Sequence, residues 1–340
     1  MTETEPTKKW KLIWPILKWG LCLLVVVFVA MRASDLWQKD ELRDVHFHFG
    51  WLLLAMGVYI VSWIPSARYW QLLLHAMGQQ AIFSHTIQAY YCGHLGKYIP
   101  GKAVVLVIRA GMLKSRGHAA SAAAVTATFE TLLMMGVGLA VGLALFPVTN
   151  WPPQIAGWVS PAWVVPLVIT VSVIAALPVI SMLLTRISKV MTPKNIHQGS
   201  KGDHQIRIPM KLVAYGMAMF LLSWALLGLS LGLTIQAVSN EPFDISNWPI
   251  WTGAVSLATA IGFAAIFAPG GMGVREGLLI EILQIQPNIS ERQAVVVSVL
   301  LRLVWLAAEI LTAAALYWMY RRTKNGFGEN APMTETEKAD

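Results

Sequence analysis

The chain has 340 residues, of which 56% are hydrophobic and only 13% charged, with a mean hydropathy of +0.57. Soluble domains carry about 25% charged residues and lack repeated apolar runs of ~20 residues, so this composition excludes a soluble enzyme and indicates a polytopic membrane protein. The net charge of +8 then reads as loop topology rather than a nucleic-acid footprint, because Lys and Arg gather in cytoplasmic loops.

Residues 1–11 form a polar tail carrying Lys8, Lys9 and Lys11. An apolar run follows at about 12–31. Trp14, Pro15, Lys18 and Trp19 interrupt it and no small-residue cleavage site follows, so we expect an uncleaved first span rather than a signal peptide. Further spans are expected at about 50–76, 118–146, 162–184, 211–238 and 294–320, all within one membrane domain at 12–320. Two other regions, 84–113 and 250–286, are apolar but broken by Pro-Gly beside basic residues. Residues 321–340 read as a disordered polar tail. The two cysteines, Cys22 and Cys92, lie inside apolar segments and suggest neither a disulfide nor a metal site. His46 and His48 lack further ligands around them.

Loop charges orient these elements. The loop 185–211 holds Arg186, Lys189, Lys194, Lys201, Arg207 and Lys211, whereas 147–161 has no Lys or Arg and 239–249 has only Glu241 and Asp244. The first is therefore expected inside and the other two outside, with both termini cytoplasmic. The loop 32–49 fits less well, since it should be external yet carries Arg32, Lys39 and Arg43. Lys114 and Arg116 follow the first broken region, and Arg68 and His75 close the span before it, so region 84–113 enters and leaves on the cytoplasmic side. By the same parity 250–286 enters and leaves from outside. The expected fold is all-α: about six full transmembrane helices plus two oppositely oriented re-entrant helical hairpins, an arrangement that suggests an inverted repeat. Each hairpin is expected to be lopsided, with 250–268 reaching ~28 Å and 274–286 returning ~20 Å.

The broken tips carry the chemistry. At Tyr98-Ile99-Pro100-Gly101-Lys102 the proline ends a helix and the glycine permits reversal. A helix starting near Lys102 would aim its positive end at the tip, where anions bind, and Lys97, Lys102 and Arg109 reinforce that sign. The alternative is an interfacial turn whose lysines reach for lipid phosphates. At the second tip Pro269, Gly270, Gly271 and Gly273 break the chain before Arg275 and Glu276 open a helix; there the alternative is a surface loop with a capping glutamate. Ionisable residues inside spans are costly and point to function. Glu130 lies about 20 Å into its helix and Arg302 about 18 Å into the last span, with Glu309 one heptad on and sharing its face. We expect Glu130 or Glu309 to pair with Arg302 or Arg109, either as a structural ion pair or as part of a substrate path. Arg68 lies toward the cytoplasmic third of its span. Gly138/Gly142 and Gly228/Gly232 have the spacing of close helix packing.

The segments YYCGHLGKYIPGKAVVLVIRAGML at 90–113, SARYWQLLLHAMG at 66–78 and APGGMGVREGLL at 268–279, together with Glu130, resemble the lysylphosphatidylglycerol synthase transmembrane-region family. The resemblance spans roughly 50–320. It implies a flippase-like bacterial inner-membrane protein that moves a phospholipid or other phosphate-headgroup lipid between leaflets. By motif match it also implies that Lys97, Pro100, Gly101, Lys102, Arg109, Glu130, Pro269, Gly271, Gly273, Arg275 and Glu276 are the family-type positions. Bifunctional members add a soluble aminoacyl-transferring domain. About twenty polar residues follow the last span here, so we expect a stand-alone member that does not itself aminoacylate lipid.

The residues therefore assign Lys97, Lys102, Arg109, Arg275 and Arg302 to headgroup binding, and Arg68, Glu130, Glu276 and Glu309 to gating or ion pairing. We expect no catalytic residues, no metal and no cofactor. The partners are expected to be a membrane phospholipid or lipid-linked phosphate, with a second copy or a lipid-modifying enzyme as candidate protein partners and no nucleic acid. The alternative function is the membrane component of a lipid-linked transferase acting on polyprenyl-phosphate or phospholipid headgroups.

Overall fold

The computed structural model describes residues 47–99, 103–145, 168, 171–172, 178–186, 208–265, 271, 273–286 and 289–328, with side chains described as far as residue 321. The expected first span at 12–31 and most of that at 162–184 lie outside the described residues, as do the tip residues Pro100, Gly101, Lys102, Pro269 and Gly270. Among the described residues every regular element is helical. Helices α1 (Phe49–Ser62) and α2 (Ile64–Ala76) form one spanning unit broken at Trp63. Pro65 lies in the first turn of α2 and has no N–H to continue the ladder from α1, which fixes the break there.

After a turn at Gly78, α3 (Phe83–His94) ends in a 3-10 turn, Leu95–Tyr98, and α4 (Ala103–Lys114) returns beside it. Helix α5 (Ala120–Leu145) then spans. In the second half α6 (Met210–Gln236) leads into α7 (Trp248–Ala264), a break, α8 (Val274–Gln284) and α9 (Glu291–Gly328). The α1–α2 unit, α5, α6 and α9 as far as residue 321 are each long and apolar enough to cross a bilayer. The chain is a multi-pass membrane protein.

Named contacts fix the orientation. The His48 N–H donates to the Ala237 carbonyl at 2.9 Å, the Ser230 hydroxyl to the Ala55 carbonyl at 2.9 Å, and Tyr69 packs where Gly216 leaves room, so α1–α2 and α6 run antiparallel. The hairpin after Ala76 and the hairpin after Gln236 therefore enter from opposite faces. Helix α9 descends to the face of the first hairpin, where Ser115 and Tyr320 share a hydroxyl contact of 2.6 Å.

Each half thus runs spanning helix, broken hairpin, spanning helix, and the packing is exchanged between them. Helix α5 packs on α4 of its own hairpin and on α7 of the other; α9 packs on α8 of its own and on α3 of the other. The order and packing form an inverted repeat. Close glycine contacts let it assemble: a Cβ on Gly142 would stand 2.7 Å from Leu257, and one on Gly228 would strike Thr252. These are the glycine pairs whose spacing marked them for close packing.

Two expectations are corrected. The first hairpin is close to even, with 12-residue helices on both arms plus the single 3-10 turn, because the turns at Gly78 and Gly117 trim both outer ends. Only the second is lopsided, at 17 and 11 residues. Helix α9 also continues to Gly328, past the expected end at 320, because Arg321-Arg322-Thr323-Lys324 holds no helix breaker.

Candidate functional site

Two buried ionic clusters lie along the hairpins. In the first, Arg109 sits near the middle of α4 and turns toward α3, where Gly93 makes room for it. A Cβ on Gly93 would stand 2.6 Å from Arg109 Cγ. Arg109 Nη1 donates to Glu130 Oε2 at 2.9 Å, and the Tyr90 hydroxyl donates to Oε1 at 2.8 Å. The guanidinium lies over the Tyr90 ring at 3.9 Å and near the Trp70 ring at 5.2 Å. The two charged side chains are 3% and 1% exposed. One cation meets one anion beneath aromatic faces, and Arg109 Nε is buried without a hydrogen-bond partner.

The second cluster forms where the residues flanking the two tips converge on α9. Its contacts close into a ring. Lys97, in the 3-10 turn before the first tip, pairs with Glu309, and the Tyr59 hydroxyl donates to the same carboxylate oxygen, Oε1. Tyr59 stacks on Trp305 with ring centroids 4.6 Å apart, and Arg275 lies 5.0 Å from the Trp305 centroid. Glu276 Oε1 lies 3.4 Å from Arg275 and 3.6 Å from Arg302. Arg302 in turn lies 5.1 Å from the Tyr98 ring centroid, and Tyr98 adjoins Lys97.

This ring holds three cations and two carboxylates among the described residues, so one positive charge is unmatched. Hydrogen bonding is incomplete as well. Arg302 Nη2, Glu276 Oε1 and Glu309 Oε2 are buried without a hydrogen-bond partner, and the Tyr98 hydroxyl lies beside Glu309 without hydrogen-bond geometry. Buried polar groups in folded proteins are almost always satisfied. Four such atoms lie on this one ring.

Depth follows from α9. Arg302 stands ~16 Å from the start of the helix at Glu291, and Glu309 ~18 Å from Arg321. The residues flanking both tips therefore meet near the centre of a 31-residue span, not at an interface. Irregular backbone at that depth is tolerated where it is buried in protein or lines a polar cavity.

Helix α8 carries the capping glutamate that the alternative reading of the second tip named. Glu276 Oε2 accepts from the Gly273 N–H at 2.7 Å, so an acid in the first turn already caps it. Gly273, at φ +84°, reaches that position in the left-handed region where a side chain would be strained. Gly271, at φ +70°, fits against Gly262, where a Cβ would lie 2.9 Å from the carbonyl oxygen.

Of the residues assigned from sequence, Lys97, Arg275, Arg302, Glu276 and Glu309 come together in the ring, while Arg109 and Glu130 form the separate pair. Arg302 faces Glu276 rather than Glu130 or Glu309. Arg68 is exposed, donates to Gln71 one turn on, and joins neither cluster. Tyr59, Tyr90, Tyr98, Trp70 and Trp305 were not singled out by sequence, because aromatics in apolar helices read as core; the position of Tyr98 next to the Pro-Gly tip was the available signal.

The family model described as "Lysylphosphatidylglycerol synthase TM region" matches residues 15–313. No curated protein matches the chain.

Proposed function

The chain belongs to the lysylphosphatidylglycerol synthase transmembrane-region family, a membrane domain associated with lipid headgroup modification or flipping, and from that premise we propose that it moves a phospholipid or other phosphate-headgroup lipid between leaflets. The observation that carries this reading is the net-positive ring at mid-span with buried, unpartnered polar atoms. A phosphate crossing hydrocarbon needs counter-charge at the deepest point of its path. Lys97, Arg275 and Arg302 supply it, and opposed hairpins give the two faces of the membrane equivalent approaches.

The proposed setting is the bacterial inner membrane, with both termini and the first hairpin's base cytoplasmic. Lys114 and Arg116 on that side, against Glu241 and Asp244 on the other, support this orientation. Lys102 follows the first tip in sequence and is assigned to the same task. The mechanism needs neither cofactor nor covalent chemistry, so the reading is of a transporter rather than an enzyme.

The direct test is translocation of fluorescent phospholipid in proteoliposomes. Arg275→Ala and Lys102→Ala are expected to cut the rate tenfold or more, roughly 1.4 kcal/mol of barrier. Rates equal to wild type in both would reject the site. A second reading, a membrane component of a lipid-linked transferase, draws on the unpartnered oxygens of Glu276 and Glu309 as candidate bases. Product formed by the purified protein from a polyprenyl-phosphate donor would favour it.

A further inference from the structure

The carboxylate behind Lys97 gives the proposed lipid path an energy source, an inference that rests on the headgroup reading above. Lys97 is the most exposed cation of the ring, at 27% of its side chain against 14% for Arg302 and 8% for Arg275. A phosphate arriving in the ring therefore meets Lys97 first. Behind it, Glu309 is 1% exposed and depends on Lys97 as its ion-pair partner.

The two anions compete for one ammonium. Glu309 Oε1 accepts from both Lys97 and Tyr59, while Oε2 has no hydrogen bond. Once Lys97 turns to a phosphate, Glu309 keeps only a neutral hydroxyl and stands beside a new negative charge. A buried carboxylate in that position takes up a proton rather than remain ionised.

The groups around it cannot substitute for Lys97. From α1 it meets Tyr59; from the 3-10 turn, Lys97 and Tyr98. His94 on α3 meets Trp63 edge-on at 4.3 Å and lies tilted against Tyr90 at 4.9 Å. On α8, Arg275 lies over Trp305 and is paired with Glu276, and Arg302 on α9 is shared between Glu276 and Tyr98.

We infer that headgroup binding at Lys97 is coupled to protonation of Glu309, making this protein a proton-coupled carrier of phosphate-bearing lipid. The step balances simply: the Lys97–Glu309 pair breaks, a Lys97–phosphate pair forms, and Glu309 gains one proton from water. Release reverses all three, so headgroup and proton move together.

The test has two readouts on the full chain. Dihexanoyl phosphatidylglycerol, added to detergent-solubilised protein in weak buffer with a pH dye, is expected to draw about one proton per bound headgroup. Glu309→Gln should abolish this uptake. So should Lys97→Gln, which removes the ammonium for which the two anions compete, and this second variant serves if the first fails to fold. In phosphatidylcholine vesicles doped with fluorescent phosphatidylglycerol, the wild-type rate should rise several-fold between about pH 8 and about pH 6, and Glu309→Gln should flatten that profile. No uptake by wild type, or uptake that survives Glu309→Gln, overturns the inference whether or not lipid crosses. Uptake without translocation would keep the coupling and reject the lipid-carrier reading instead.

Discussion

The Arg109–Glu130 pair and the Lys97–Glu309–Arg275–Glu276–Arg302 ring are built from the same residue types at similar burial, yet they are finished differently. In the first, one cation meets one anion and Tyr90, Thr131 and Trp70 close the shell. In the second the cations outnumber the anions, and four buried polar atoms lack a hydrogen bond against one, Arg109 Nε, in the first. A matched buried pair stabilises against the loss of either member. On the reading proposed above, an unmatched set is held ready for a charge from elsewhere, and the difference would separate a fastener from a binding site.

The sharpest way to break that distinction is Glu130→Ala. Removing one partner of a buried pair leaves an uncompensated charge, at a cost of roughly 3–5 kcal/mol. Thermal unfolding in detergent should show a large loss, and replacing both Arg109 and Glu130 with Met should recover most of it. If the double variant is stable but inactive in lipid translocation, the pair belongs to the path and the comparison fails. Gly93→Val comes next. Its added carbons would press on the root of the Arg109 side chain, which the pair holds fixed, and overpacking of this kind costs about 1–3 kcal/mol.

The ring should respond in the opposite sense. Arg302→Ala removes a cation from a positive cluster and leaves Glu276 with Arg275, so the melting midpoint should hardly move. Transport should fall about tenfold, or ~1.4 kcal/mol of barrier. A large stability loss with unchanged transport would make the ring a second fastener. The smallest effect is expected from Tyr98→Phe. It deletes one hydroxyl beside Glu309 and keeps the ring that Arg302 covers, so a two- to threefold slower rate, about 0.5 kcal/mol, is expected in the same vesicle assay.

Much of this frame was legible in the residues. Pro-Gly beside basic residues located both hairpins, because few sequences break an apolar run that way unless backbone must turn inside protein. The seven-residue spacing of Arg302 and Glu309 put both on one face, and both do face the first hairpin. Partner choice was not legible. Lys97 and Glu309 are 212 positions apart, and nothing local marks Lys97 as a residue that reaches α9. The even first hairpin was missed because turns at Gly78 and Gly117, rather than the apolar run, set its ends. The aromatic framework was hidden for a related reason: Tyr59 and Trp305 matter for what they touch across elements, and a helical pattern reports only burial.

The exchange of hairpins between halves bears on how the chain is made. Helix α9, which clamps the first hairpin, leaves the ribosome after both hairpins. Lys97 enters the membrane more than two hundred residues before its carboxylate is synthesised. During that interval the first tip has no α9 to hold it at depth, and a nascent chain stopped before residue 291 would lack the carboxylate that holds Lys97. Completion of α9 is therefore the event that ties together the residues flanking both tips. A protein cut within the loop before α9 should be recognised by membrane quality control as unfinished, even with six of the eight described spans and hairpin arms already in place and α8 waiting for its support.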